Sequence, residues 1–155
     1  MSVLKNTDTA IFIMTNANGW ARLGEGVSGA TPSNNATVQT KHYIHMKSPK
    51  NTRTAFSKQW SLDMERFKGD EANDYIYSMS EKTGADVETK LLVVDMSGTS
   101  PYPAKKYGIT VNVDSEGNVI GGETQAMSVT LLSNGDPVIG TATINEEGLP
   151  TFIEG

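Results

Sequence analysis

The sequence predicts a mainly β fold: an antiparallel β-sandwich or half-barrel with one flanking α-helix at about residues 71–83 and a long protruding hairpin at about 37–65. Three features support this prediction. Short runs of alternating apolar and polar residues recur, turn-forming residues including 15 glycines separate them, and one stretch has helical spacing. Strict alternation is typical of strands with one buried face. Because the chain has 155 residues and no internal repeat, we expect a single domain, 1–155, with a flexible N-terminal arm and C-terminal end.

The long hairpin is predicted from two alternating segments that flank a polar turn. Apolar residues are frequent at the even positions of 37–46. The same holds in 55–65, where we expect a core-facing set: Phe56, Trp60, Leu62 and Met64. The turn between the segments is rich in Lys, Ser, Pro and Asn. We expect its basic and polar side chains to form the tip of the hairpin: Lys47, Lys50, Asn51 and Arg53.

The odd positions of the second segment define a face that is exposed to water. They are polar or acidic: Ser57, Gln59, Ser61 and Asp63. Polar residues that alternate with apolar ones later in the chain are expected to join this face: Thr110, Asn112, Ser128 and Thr130.

One amphipathic helix is predicted after the hairpin. Asp70 can cap its N-terminus, Glu71 and Asp74 suit the positive end of the helix dipole, and Gly84 stands where the helix would end. One stripe of side chains should pack on the sheet: Ala72, Tyr75, Ile76 and Met79.

The remaining strands follow from shorter patterns. Residues 10–14 are apolar and predict the first strand, whereas 24–35 is rich in Gly, Ser and Asn and predicts a loop. Residues 91–94 are apolar on both faces, so they form either a central strand or one that meets another subunit. Asn134 and Gly135 predict a tight hairpin turn.

Charge is sorted along the sequence. Residues 41–68 contain seven basic side chains and two acids, whereas residues 107–155 contain seven acids and no Lys or Arg. A chain with one basic and one acidic surface is suited to stacking head to tail on copies of itself. The alternative is that the acidic third only keeps the protein soluble.

Composition argues against several other functions. The chain has no cysteine, so disulfides, Cys-ligated metals and thiol catalysis are excluded. Its start has no pattern of a signal peptide or transmembrane helix. A net charge of −5 disfavours specific nucleic-acid binding. We predict no catalytic residue, no cofactor and no metal site, because no nucleophile is paired with a base, and His42 and His45 would lie on opposite faces of a strand.

Three segments resemble the major tail proteins, or tail tube proteins, of tailed bacteriophages. They are MERFKGDEANDYIY at 64–77, ADVETKLLVVD at 85–95 and SNGDPVIGTAT at 133–143. The resemblance extends from about Val38 to Ile144 and is most specific at the helix entry and at the NGDPV segment.

The resemblance implies a structural subunit, not an enzyme. Six subunits would form each ring, and stacked rings would form a channel through which DNA leaves the capsid. The wet face around Asp63 would line that channel, and the hairpin tip would meet an acidic surface of the next ring. The implied partners are further copies of the chain, a tape measure protein, and tail initiation and terminator proteins. DNA would pass without specific binding, and no membrane would be involved. The subunit would reside in the virion tail, and in the host cytoplasm during assembly.

Two alternatives remain open at this stage. The first is the tube of a contractile phage tail, tailocin or injection system, which would share the fold and need an outer surface for a sheath. The second is a monomeric β-sandwich module that binds a carbohydrate or a protein, which would need an exposed aromatic platform.

Overall fold

The computed structural model describes residues 9–16, 19–24, 27–115, 121 and 125–155. Strands dominate the described part, together with one α-helix and one short 3-10 helix. The elements in chain order are β1 (Thr9–Asn16), β2 (Gly19–Arg22), β3 (Val27–Ser33), β4 (Thr37–Lys41), β5 (Lys50–Ala55), β6 (Gln59–Glu65), α1 (Glu71–Ser78), the 3-10 helix (Gly84–Val87), β7 (Glu88–Asp95), β8 (Tyr102–Ser115), β9 (Ala126–Ile144) and β10 (Pro150–Glu154).

Eight of the strands in the described ranges form one antiparallel sheet. Seven of them follow the order β2-β1-β7-β8-β9-β6-β3, and β10 pairs with β9 beyond the end of β6. The mainly β class with one flanking helix is therefore confirmed. The prediction of a first strand at 10–14 is also confirmed, and 91–94 lies in β7, a central strand between β1 and β8.

Two hydrophobic cores lie on opposite faces of this sheet. The larger core contains Trp60, Leu62 and Met64 of β6 together with one face of α1. The smaller core contains Leu92 and Val94 of β7, and Phe152 of β10 packs against it. Since neighbouring residues of a strand point to opposite faces, β7 contributes Leu91 to one core and Leu92 to the other. This explains why residues 91–94 are apolar without alternation.

The hairpin is shorter than predicted. β4 pairs with β5 in a separate two-stranded sheet, whereas β6 pairs with β3 and β9 in the large sheet. The hairpin therefore covers 37–55 and not 37–65; we call residues 37–55 the arm. The second alternating segment alternates because β6 lies on the larger core, and Phe56 is 63% exposed rather than buried.

The segment 24–35 is not a loop throughout, because it contains β3. This strand is an edge strand, where Pro32 can be accommodated without the loss of a central ladder hydrogen bond. Its small and polar residues gave a turn-like composition, although the backbone is extended and paired to β6.

Asn134 and Gly135 do not form a hairpin turn. β9 continues through them, and the register with β8 shifts between Lys106 and Gly108, so that three residues of β9 oppose one of β8. Gly135 supports this bulge with a φ of 76°. The bulge separates the half of β9 that pairs with β6 from the half that pairs with β10.

Helix α1 begins as predicted and ends earlier. The side chain of Asp70 accepts a hydrogen bond from the backbone N–H of Asn73 at 3.0 Å, which confirms the N-cap. The helix ends at Ser78 and not at 83, and the N–H of Met79 donates to the carbonyl of Ile76. No helix in the described ranges is long and apolar enough to cross a membrane.

Candidate assembly interface

A polar face covers four adjacent strands on the side of the sheet opposite the larger core. Its rows are defined by directly paired residues of β3, β6, β9 and β8. The central row is Thr31, Ser61, Thr130 and Asn112; the rows beside it are Ser33, Gln59, Leu132 and Thr110, and Gly29, Asp63, Ser128 and Ser115. The name polar face refers to these rows together with Asp114. Three of the four residues predicted to face the channel lie on it; the fourth, Ser57, is exposed but lies before β6 begins.

Hydrogen bonds within β8 and between β8 and β9 hold this face in place. Asp114 accepts from Asn112 Nδ2 and from Thr130 Oγ1, both at 2.7 Å. Asn134 Nδ2 donates to Thr110 Oγ1 at 2.8 Å. Asp114 was missed in the sequence analysis, although its position after the alternating residues of 107–113 would have placed it near this face.

The charges of the polar face are negative. Asp63 and Asp114 lie within it, and none of its rows contains Lys or Arg. On β7, Glu88 lies beside Thr110 and Lys90 lies beside Gly108, so the residues next to this end of the face carry opposite charges. The face therefore offers hydroxyl, amide and carboxylate groups but no cluster of cations.

Both lateral borders of the polar face are strand edges. β3 pairs with β6 on one side and, among the described residues, has no strand on the other. β7 pairs with β8 only as far as Thr110, so Val111–Ser115 has a strand partner on the β9 side alone within the described ranges. Exposed edges of this kind are templates for pairing with another chain.

The arm carries the residues that were predicted to form the hairpin tip. Lys47 lies at the apex, between the two strands, whereas Lys50, Asn51 and Arg53 lie on β5. Every residue of 37–55 is exposed except Met46. Ile44 at the apex has a relative exposure of 107%, the highest among the large apolar residues of the described chain.

The stripe of α1 lies on the larger core. Ala72, Ile76 and Met79 are buried and Tyr75 is partly buried against them. The N-terminal turn of the helix is anchored by Asn73, whose Oδ1 accepts from Arg66 and from the N–H of Phe67, both at 3.1 Å. Arg66 also pairs with Asp74 at 2.6 Å, and this hydrogen bond holds the pKa of Asp74 below its ordinary value. The FKGD segment thus forms a fixed corner between β6 and the helix.

An open cavity of about 780 Å³ lies between β1 and β3. Trp60 and Tyr107 contribute to its lining, but both side chains are buried, with edge-to-face rings 4.8 Å apart. Its charged lining residues in the described part of the chain are Arg22 and Lys58, so no acid is paired with a base there. No group of three His, Asp or Glu side chains that could hold a metal occurs among the residues described.

Comparison with known proteins supports the fold through structure, not sequence. No protein-family model matches the chain, and no curated protein matches it either. The structure of the SPP1 tail tube is similar with a TM-score of 0.64 and 14% identity, covering 88% of this chain and 78% of that one.

Two further structures have the same fold. A subunit from the tail of an empty GTA particle, refined with C6 symmetry, has a TM-score of 0.62 and 12% identity, covering 87% of this chain and 97% of that one. A chain from the sheath/tube terminator of PVC, an extracellular contractile injection system, has a TM-score of 0.51 and 11% identity, covering 90% and 97%. The fold of this chain is therefore that of tail tube proteins.

Proposed function

We propose that this chain is the structural subunit of a bacteriophage tail tube, and that it assembles into stacked six-membered rings around a DNA-conducting channel. The observation that carries the proposal is the polar face, a four-stranded surface bounded by two strand edges. The fold shared with the SPP1 tail tube and with the C6-symmetric GTA tail supports it.

Strand direction supports ring closure through the two edges of the polar face. β8, β9, β6 and β3 alternate in direction, so β8 and β3 run in opposite senses. When β3 of one copy lies beside β8 of the next, the new pair is antiparallel, as are all the others. A ring of such copies continues one antiparallel wall without a free edge.

The chemistry of the polar face suits the inner wall of a channel for DNA. Affinity for DNA depends largely on Lys and Arg that neutralise phosphates. A wall with Asp63 and Asp114 and no cation in its rows repels the phosphate backbone, so DNA can move without being retained.

The proposed partners follow from this role. The chain binds copies of itself within and between rings, and it meets a tape measure protein inside the tube and initiation and terminator proteins at its ends. Such a subunit is not an enzyme and needs no cofactor. It resides in the virion tail after assembly in the host cytoplasm.

A tube subunit of a contractile tailocin or injection system is the second candidate. The similarity to the PVC terminator chain favours it, although the TM-score of 0.51 is lower than the values for the two tail structures. Co-assembly with a sheath protein would distinguish it. The monomeric binding module has less support, because Trp60 is only 3% exposed and offers no aromatic platform.

Disulfide crosslinking tests the proposed ring contact, since the chain has no native cysteine. A variant with Thr31→Cys and Asn112→Cys is concentrated, examined by negative-stain microscopy and oxidised. We expect rings or hollow tubes and a covalent ladder that ends at six copies. The control, Thr31→Cys with Thr151→Cys, places the second thiol on β10 and should give no ladder. A monomer at every concentration would contradict the proposed function, whereas tubes with no ladder would contradict only the proposed edges.

A further inference from the structure

The arm concentrates positive charge without any acid to balance it. Residues 37–55 contain Lys41, Lys47, Lys50 and Arg53 and neither Asp nor Glu. The two strands of the arm pair only with each other among the described residues, and a two-stranded ribbon has marginal stability by itself. The arm therefore adds little to the stability of the large sheet, since its strands do not pair with that sheet.

The two faces of the arm differ in whether their polar side chains contact other residues of the chain. Directly paired residues share a face, so Val38 lies beside Arg53 and Thr40 beside Asn51. On this face Thr40 Oγ1 donates to Asn51 Oδ1 at 2.7 Å, and the Arg53 guanidinium lies 5.0 Å from the ring centre of Phe56. On this face Thr40 and Asn51 are thus hydrogen-bonded to each other, and Arg53 has an aromatic ring beside it.

The opposite face presents two lysines without such partners. Lys41 pairs directly with Lys50, and Gln39 pairs with Thr52 two residues away on the same face. None of these four side chains forms a hydrogen bond or an ion pair within the described residues. Like charges directly opposite each other destabilise a strand pair. The lysine pair therefore adds nothing to the stability of its own hairpin, and a carboxylate placed beside it would offset the repulsion.

We infer that Lys41 and Lys50 form the docking point of the arm, and that they bind carboxylates on a second copy of this chain. This inference rests on the proposed tube function. It makes the lysine pair, and not the apex of the arm, the main electrostatic contact. The second copy supplies the matching chemistry, since residues 107–155 contain acids and no Lys or Arg. The exposed acids of that segment in the described ranges include Asp136, Glu146, Glu147 and Glu154. Phosphates of DNA are the disfavoured anion, because the chain carries a net charge of −5.

Charge reversal with a matched control tests the lysine pair. The variant Lys41→Glu with Lys50→Glu is compared with Lys47→Glu with Arg53→Glu, which changes the net charge equally but alters the apex and the opposite face. We expect the first variant to need a subunit concentration at least about tenfold higher for tube formation at low salt, and the control less than about threefold. Circular dichroism and urea unfolding of both should match the parent, because all four side chains are exposed.

Zero-length carbodiimide crosslinking of parent tubes identifies the anion directly. We expect mass spectrometry to find Lys41 or Lys50 joined to an Asp or Glu of another copy. Equal effects of the two variants, or crosslinks at Lys47 alone, would overturn the inference while leaving the tube function intact. Normal tubes from the first variant, with loss of a salt-sensitive DNA mobility shift that the parent shows, would assign the pair to phosphates instead. If the parent forms no tubes at all, the proposed function fails and the inference fails with it.

Discussion

The body, formed by the eight-stranded sheet and α1, contrasts with the arm. The body buries side chains on both faces of its sheet, and β7 is fully buried at Leu91, Leu92 and Val94. The arm exposes nearly every side chain and places two lysines opposite each other. Folding stability thus resides in the body, and the arm contributes an exposed, positively charged surface.

Removing a side chain should lower the free energy of unfolding much more in the body than in the arm. Leu92→Ala removes a fully buried side chain from the smaller core, and we expect the free energy of unfolding to fall by about 2–5 kcal/mol. Ile44→Ala at the apex of the arm removes a fully exposed side chain and should change it by less than about 0.5 kcal/mol. Urea unfolding of both variants measures the difference. Equal losses would mean that the arm packs on the body.

A glycine substitution tests how closely β9 and β10 approach each other. A Cβ at Gly140 would overlap the carbonyl oxygen of Ile153, so the two backbones would have to separate. We expect Gly140→Ala to lower the free energy of unfolding by roughly 1–3 kcal/mol. Gly98→Ala is the control, because a Cβ at Gly98 would meet no atom within 4 Å beyond its own chain neighbours. Thermal unfolding of both proteins provides the comparison, and a neutral Gly140→Ala would show that β10 is held loosely.

The corner between β6 and α1 should make stability depend on pH. The hydrogen bond from Arg66, opposed by desolvation and aided by the Gly69 N–H, lowers the pKa of Asp74 from its ordinary value of 3.8. Because the folded state has the lower pKa, the stabilisation is present above pH 3.8 and is lost as pH falls through the lowered value. Urea unfolding between about pH 2 and 6 should show this loss for the parent. In Arg66→Gln the pH dependence in that range should be weaker; an unchanged profile would mean that other carboxylates cause it.

The elements predicted best were those whose pattern has a local cause. The stripe of α1 and its cap at Asp70 follow from residues a few positions apart, and so does the alternation of β6. The pairing of β6 could not be predicted, since a strand that alternates can pair with a hairpin partner or with β3 and β9. The Asn134–Gly135 dipeptide was misleading because a glycine with positive φ, such as Gly135, suits both a tight hairpin turn and a bulge within a strand.

The candidate site was predicted in part. Alternation correctly separated Ser61 and Asp63 from the buried side of β6. The extent of the polar face depends on the order of four strands, and the lysine pair depends on the register of the arm. Strand order and register are tertiary properties, so the structure was needed to find Asp114 and Lys41.

Helical reconstruction of the assembled tube by electron cryomicroscopy would show directly whether the polar face lines the channel. We expect six copies per ring, with β3, β6, β9 and the second half of β8 forming the inner wall. The carboxylates of Asp63 and Asp114 should point towards the axis, and β3 of each copy should lie antiparallel to β8 of its neighbour. A tube in which these strands face outwards would contradict the proposed channel wall. A protein that stays monomeric at every concentration, even with tail initiation proteins present, would contradict the proposed assembly.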